Sequence, residues 1–574
     1  MAEALQPALS AARSAALADL AERFWQFQRH EFPLTALLAG QPNDDPAMFR
    51  EAPADFDRRA HAAAAMQAEL ARIAVDGLAL QDRITHRLLQ RELGDLCEAH
   101  ATRSHLKPWL LPVGPEFNTV FFANMAHVGD EASAARHADR LATLPAFFGD
   151  VQACLKAGLD QGVRIPRAVL APALGNLRGA VGGAAESTPW FGPFKRSAAA
   201  SRAGVQQQAD RARTVIEREI QPALRALAAF IEGELRPAVR ETIACTEDPQ
   251  GAAFYAFWVR HFTTDAAATP EAIHALGLSE VARLEAEIAE VAAQAGHAGD
   301  VAGYREFLAR DPRFYAPSAE VLRERAQIVS KTIDGLLPAF FGRLPRISYG
   351  VQSIPAALSE RMPPAYAQPN PADGKSAGTY WISSLPAKAP SYLHVPLALH
   401  EGWPGHLMHM ALMQELTELP AFRRANFSKY SAFLEGWALY CETLGIEMGL
   451  YETPHQHFGR LDMEMWRACR LVVDTGIHTR GWRREQAIDY MLAHLSLSRV
   501  TVEGEVDRYI AMPAQALGYQ LGNLKFRELR ARAEQRLGGR FDIRSYHDQL
   551  MAAGPVTLPV LDEVVEDWLQ GQEH

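Results

Sequence analysis

The sequence predicts a mainly α-helical protein with one small β element, and three observations predict it. Apolar residues recur at three- and four-residue steps along most of the chain, as Leu17, Leu20, Phe24 and Phe27 do near its start. Prolines interrupt that pattern in residues 347–398, where Pro355, Pro363, Pro364, Pro369, Pro371, Pro386, Pro390 and Pro396 exclude long helices. Inside this stretch Gly378-Thr-Tyr-Trp-Ile382 favours β structure and is bounded by turn formers, so it is the strand candidate.

The chain has 574 residues, enough for two or more lobes with cores of their own. We divide it into a helical region, residues 1–345, and a region carrying the chemistry, residues 346–574, with the lobes interleaved. Hydrophobic residues make up 48% and charged residues 22%, the balance of a folded protein rather than a disordered one. A net charge of −10 with no compact basic patch argues against a nucleic-acid partner. Cys97, Cys154, Cys245, Cys441 and Cys469 are scattered, with no C-x-x-C pair, and read as buried thiols. No run reaches the ~18 apolar residues that span a bilayer, and the first residues lack the apolar stretch of a signal peptide. A cytoplasmic protein with no membrane partner is the expectation, a homodimer being one option for its assembly.

In chain order, helices are expected over residues 9–29, 56–75 and 82–100, and two more over 131–158. Residues 175–204 hold Gly179, Gly182, Gly183, Pro189, Gly192 and Pro193, and Trp190 and Phe191 have no obvious partner. This stretch reads as a long mobile loop, either disordered or closing over a cleft. Helix resumes over residues 206–240. Thr269-Pro270-Glu271 is a helix start, with a capping hydroxyl, a first-turn proline and an acid at the positive end, and its helix runs to about residue 295. A further helix over 320–337 is stopped by Pro338. Gly378 to Ile382 is expected to be an edge strand that holds an extended peptide, Tyr380 touching substrate; a structural hairpin is the plainer alternative.

The chemistry concentrates in His400-Glu-Gly-Trp-Pro-Gly-His406 and Glu435-Gly-Trp-Ala-Leu-Tyr440. Two imidazoles and carboxylates beside apolar helical sequence suit a divalent metal, zinc above all, and a base for the attacking water. A zinc-peptidase helix normally reads H-E-x-x-H, but Pro404 stands four after His400. On a regular helix His406 would lie ~120° round from His400, too far for one ion. Pro404 cannot donate to the carbonyl of residue 400, and Gly405 adds freedom, including positive φ, so the pair is expected to break the helix and return His406 to His400. Glu401 then faces the reacting water as general base. Glu435 interrupts an apolar run, where an acid is costly without a cation, and is the third ligand. Glu442, seven residues on, shares its face and could orient a histidine; His409 is a competing ligand.

These two runs resemble the bacterial "domain of unknown function 885" family, as do Met465-Trp-Arg-Ala-Cys-Arg470, Asp474-Thr-Gly-Ile-His478, Glu505-Val-Asp-Arg-Tyr509 and Pro513-Ala-Gln-Ala-Leu-Gly-Tyr519. The resemblance covers nearly the whole chain. It implies a two-lobed helical fold with a deep cleft, like gluzincin-type zinc metallopeptidases of the angiotensin-converting-enzyme and carboxypeptidase kind. Family sequences often carry two histidines after Pro-Gly; here the second is Leu407, which puts the weight on His406.

Downstream, Arg470, Asp474 and His478 fall at four-residue steps on one helix face. His478 is a candidate oxyanion donor with Asp474 fixing its tautomer, although a salt-bridged face would look the same. Tyr509 and Tyr519 are candidates for the same role, and Arg508 for a substrate carboxylate. Lys525, Arg527, Arg530, Arg532 and Arg536 read as a solvated helix face. The function expected is a one-zinc peptidase of short peptides, carboxypeptidase- or dipeptidase-like. Hydrolysis of another amide or ester, or peptide binding without catalysis, are the alternatives.

Overall fold

Helical periodicity is realised along nearly the whole chain. The computed structural model describes residues 2–573 apart from 40–44, 112–113, 361, 372–373, 375 and 426–428. The first expected helices appear as Ala2–Glu31, Pro53–Leu70 and Leu80–Ala101, followed by Glu131–Leu141 and Leu144–Asp160. Thr269 caps the helix Pro270–Gln294 as its hydroxyl accepts from the Ala272 N–H. Residues 206–240 are helical too, but wound with π turns at Ile216–Ile220 and Ile231–Leu235.

Residues 175–204 are not a long mobile loop. The helix Arg167–Ala180 takes the first part, and short helical turns at Ala185–Ser187, Pro189–Phe191 and Gly192–Arg196 take much of the rest. Trp190 is fully buried; its indole donates to Thr119 Oγ1 at 3.1 Å and its carbonyl accepts from His137 at 2.9 Å. The glycines and prolines serve tight turns that deliver two aromatic rings to the core, so nothing here is built as a lid.

The β element has three strands: β1 (Tyr349–Ser353), β2 (Ala365–Gln368) and β3 (Gly378–Ile382). β3 is the central strand, parallel to β1 and antiparallel to β2, with Tyr380 opposite Val351 on one side and Ala367 on the other. The expected edge strand therefore has both main-chain edges filled and cannot add a peptide. Its buried alternate residues, Gly378, Tyr380 and Ile382, explain why it sits in the middle.

Six of the helices that follow carry the chemistry: α1 (His394–Glu401), α2 (His406–Glu415), α3 (Ser431–Glu447), α4 (Pro454–Thr479), α5 (Arg499–Ala511) and α6 (Gly518–Leu537). Thr453 and Gln456 form a reciprocal cap at the start of α4. α4 is buried on every face from Phe458 to His478 although it carries seven ionisable groups there. Three of them are ion-paired: Arg460 with Glu464, Glu464 also with Arg283 and Arg527, and Arg470 with Glu505. α3 and α6 cross in backbone contact, since a Cβ on Gly522 would lie 1.9 Å from the Ala432 carbonyl oxygen. The basic residues of α6 are not simply solvated: Arg530 grips Glu447 of α3 with two bonds, and Lys525 and Arg532 share Asp562. One hydrophobic cluster runs through both halves of the sequence, from Leu17 to Leu569.

Candidate metal centre

α1 ends where the sequence says it must. Pro404 has no N–H, the helical hydrogen bonds stop at Gly402, and α2 starts afresh at His406. The Trp403–Pro404 peptide is cis, and the Pro404 carbonyl accepts from the Trp437 indole at 2.9 Å. Gly405 is required for a reason other than the one expected. Its φ is −69°, open to any residue, but a Cβ would lie 2.1 Å from the His400 carbonyl oxygen and 2.3 Å from that of Leu399. The break folds α2 back onto the end of α1, and the rings of His400 and His406 stand 4.8 Å apart at 89°.

Glu435 on α3 completes the cluster. Its Oε2 lies 3.5 Å from His400 Nε2 and 3.4 Å from His406 Nε2, and the three ligand atoms all fall within 4.8 Å of one another. Donors bound at ~2.1 Å to one tetrahedral ion sit about 3.4 Å apart, the spacing of Glu435 from each imidazole, so these side chains could hold a divalent ion. Among the described residues this is the one group of three such side chains. His409 is buried on the same helix but outside the group, beside the Phe433 ring, and neither of its nitrogens has a partner. Burial and the neighbouring His406 push its pKa down to about 3.

Behind the ligands, Glu442 accepts from His400 Nδ1 at 2.8 Å, which presents Nε2 to the centre. Burial alone would lower the pKa of His400, but the bonds to Glu435 and Glu442 raise it to about 9. Glu435 is held well below the usual carboxylate range: its burial works the other way, and His406 and His400 outweigh it. Glu401 is half-buried at the end of α1, its charge acting on His400 and on the phenol of Tyr380.

With this geometry in view, the comparisons with known proteins bear on the whole chain. The family model described as a bacterial protein of unknown function, DUF885, matches residues 33–565. The chain belongs to the DUF885 family. No functionally curated protein matches it. A crystal structure from Colwellia psychrerythraea, described as a lipoprotein, superposes with a TM-score of 0.90 at 27% identity over 97% of this chain and 99% of that one. A second, from Shewanella oneidensis and described as a lipoprotein of unknown function, gives 0.67 at 18% over 96% and 99%. The second likeness shows the fold alone.

The remaining predicted residues of this DUF885 chain divide sharply. His478 is not a free donor: it is fully buried, its Nδ1 accepts from the Cys245 N–H at 3.1 Å, and its Nε2 donates to the Tyr509 carbonyl at 3.0 Å. Asp474 does not fix its tautomer but accepts from the Tyr255 hydroxyl at 2.7 Å and from the Ala514 N–H. Tyr509 is also spent, its hydroxyl donating to Glu505 at 2.7 Å and accepting from Arg470. Arg508 has its carboxylate already, since Nε and Nη2 grip the two oxygens of Glu505. Tyr380 is fully buried and its hydroxyl, without a partner, sits in the field of Glu401, so it is no surface contact for a peptide. Tyr519 differs from the rest of the downstream set: it is half-buried at the start of α6, in the field of Glu435, with Gln515 hydrogen-bonded to its hydroxyl and the Arg470 guanidinium 4.4 Å over its ring. Sequence reasoning passed over Arg467, whose only signal was its place within the Met465–Arg470 run.

Proposed function

We propose that this protein is a zinc-dependent peptidase of short peptides, of the gluzincin type. The observation that carries the proposal is the convergence of His400, His406 and Glu435 on one point, with Glu442 locking His400 from behind. A divalent ion held there would act as a Lewis acid and lower the pKa of water. Glu401, next to the first ligand in sequence, takes the proton of the attacking water and passes it to the leaving amine. Tyr519 donates to the oxygen on which negative charge develops, a role worth roughly 10²–10³ in rate. β2 is an edge strand of the sheet and packs against α1 and α2, and we place the extended substrate main chain along it. The cleft implied by the family resemblance belongs to the same proposal.

Two tests bear on it. Metal analysis of the purified protein should find near one equivalent of zinc, lost in His406→Ala. Glu401→Gln should keep the zinc and lose turnover of a peptide library by about 10²–10⁴; undiminished cleavage would remove Glu401 from the reaction. Full metal occupancy with no peptide cleaved would leave another amide or ester as substrate. We also propose a reducing, cytoplasmic setting, because all five cysteines are free. The structural relatives are described as lipoproteins, so fractionation of cells is the deciding measurement.

A further inference from the structure

Five arginines in the described structure are buried, and four of them have found acceptors. Arg59 bonds Glu31, Arg460 bonds Glu464, and Arg470 bonds Glu505. Arg423 has no acid but bonds Gln81, Thr85 and the Ala553 carbonyl. Arg467 has neither. Only 5% of it is exposed, its Nη1 reaches just the Met463 carbonyl and thioether of its own helix, and its Nε is buried without a partner. Among the described residues it forms no ion pair. A guanidinium taken out of water without an anion is costly, and a ligand that supplies the charge relieves that cost.

The place of Arg467 says which ligand. The charges that act on it include those of Glu442 and Glu435, with Tyr519 in the same field, so it lies within electrostatic reach of the candidate metal centre. Arg470 lies one turn on along the same face of α4, stacked like Arg467 on the Trp466 ring, and its Nη1 is likewise buried without a partner. Arg470 and Arg508 share the single carboxylate of Glu505, two cations on one anion. The α4–α5 wall is therefore short of negative charge where it meets the site. A planar guanidinium matches a carboxylate through two parallel bonds, better than it matches a neutral carbonyl.

We propose that Arg467, seconded by Arg470, anchors a free carboxylate of the substrate, which selects peptides whose C-terminus lies close to the scissile bond. The inference rests on the peptidase reading for its substrate class, but the anion site can be measured without turnover. The probe pair is N-acetyl-Leu-Phe as free acid and as C-terminal amide, titrated calorimetrically into the zinc-loaded, full-length Glu401→Gln protein. The free acid should bind at least ~10-fold more tightly than the amide, and Arg467→Gln in that background should abolish the preference with zinc content unchanged. Equal binding of acid and amide by the parent, or a preference that survives Arg467→Gln, would overturn the proposal. If Arg467→Gln fails to fold, Arg467→Lys decides: a reduced acid preference supports the planar anchor, and an undiminished one defeats it. An Arg467-dependent preference in a protein whose wild-type form cleaves no peptide would leave the anion site standing and the peptidase reading refuted.

Discussion

Glu442 shows how much one side chain behind the ligands can matter. It is 2% exposed, its carboxylate accepts from His400 Nδ1 at 2.8 Å, and its charge also acts on the buried Arg467. Glu442→Gln keeps the shape but removes the charge that favours the ligating tautomer, so zinc affinity should fall ~10–100-fold. Competition against a chromogenic chelator measures this, and unchanged affinity would reduce Glu442 to packing. Asp474 makes a second case, this time of cost. Burial pushes its pKa up to about 7, against the bonds from Tyr255 and Ala514 that favour the charged form. The folded pKa is thus above the ordinary value, so its stabilising contribution is complete below about pH 4 and is lost as pH rises through 7. Asp474→Asn cannot titrate. Its stability relative to wild type should therefore improve from pH 5 to pH 8, read from denaturant melts at each pH; a parallel pair of curves would contradict the shift.

At the scale of elements, the site depends on one broken helix. Gly405→Ala places a methyl group within 2.3 Å of two carbonyl oxygens, and no side-chain rotation can relieve a backbone clash. α2 must then move off the end of α1, and a shift of even ~1 Å spoils a metal site. The expected outcome is a protein with wild-type circular dichroism that purifies without zinc; one that retains full zinc would show that the close approach is dispensable. This part of the site was legible because it is local. The Pro-Gly pair stands within the seven residues that carry both histidines, and Glu435 and Glu442 are seven apart on one helix, so local geometry relates the members of each run. What failed was non-local. His478 is satisfied by Cys245, 233 residues away, and Asp474 by Tyr255, 219 away; no periodicity announces such partners. The same is true of β3, whose fitness as a strand was readable while its place between β1 and β2 depended on the pairing of the whole sheet. The helical class survived every such error, because it rests on patterns repeated over hundreds of residues.

For the molecule as a whole, the question is whether the metal builds the fold or only uses it. The three ligands come from α1, α2 and α3, and all three helices are anchored in the cluster that runs from Leu17 to Leu569. Trp437, two residues after Glu435, is fully buried and bonds the Pro404 carbonyl, so the break in the helix is held by packing as well as by any ion. This differs from small zinc domains, whose core is too small to fold without the metal. Zinc that binds only the native state adds RT ln(1 + [Zn]/Kd), about 4 kcal/mol at a thousandfold excess over Kd. Spread over a chain of 574 residues, that shifts the melting point by a few degrees at most. Chelation should accordingly lower the melting temperature slightly, leave the helical circular dichroism at 25 °C intact, and be reversed by adding zinc back. Collapse of the helical signal on chelation would mean that the ligands close the core rather than line it, and that the centre is not preformed.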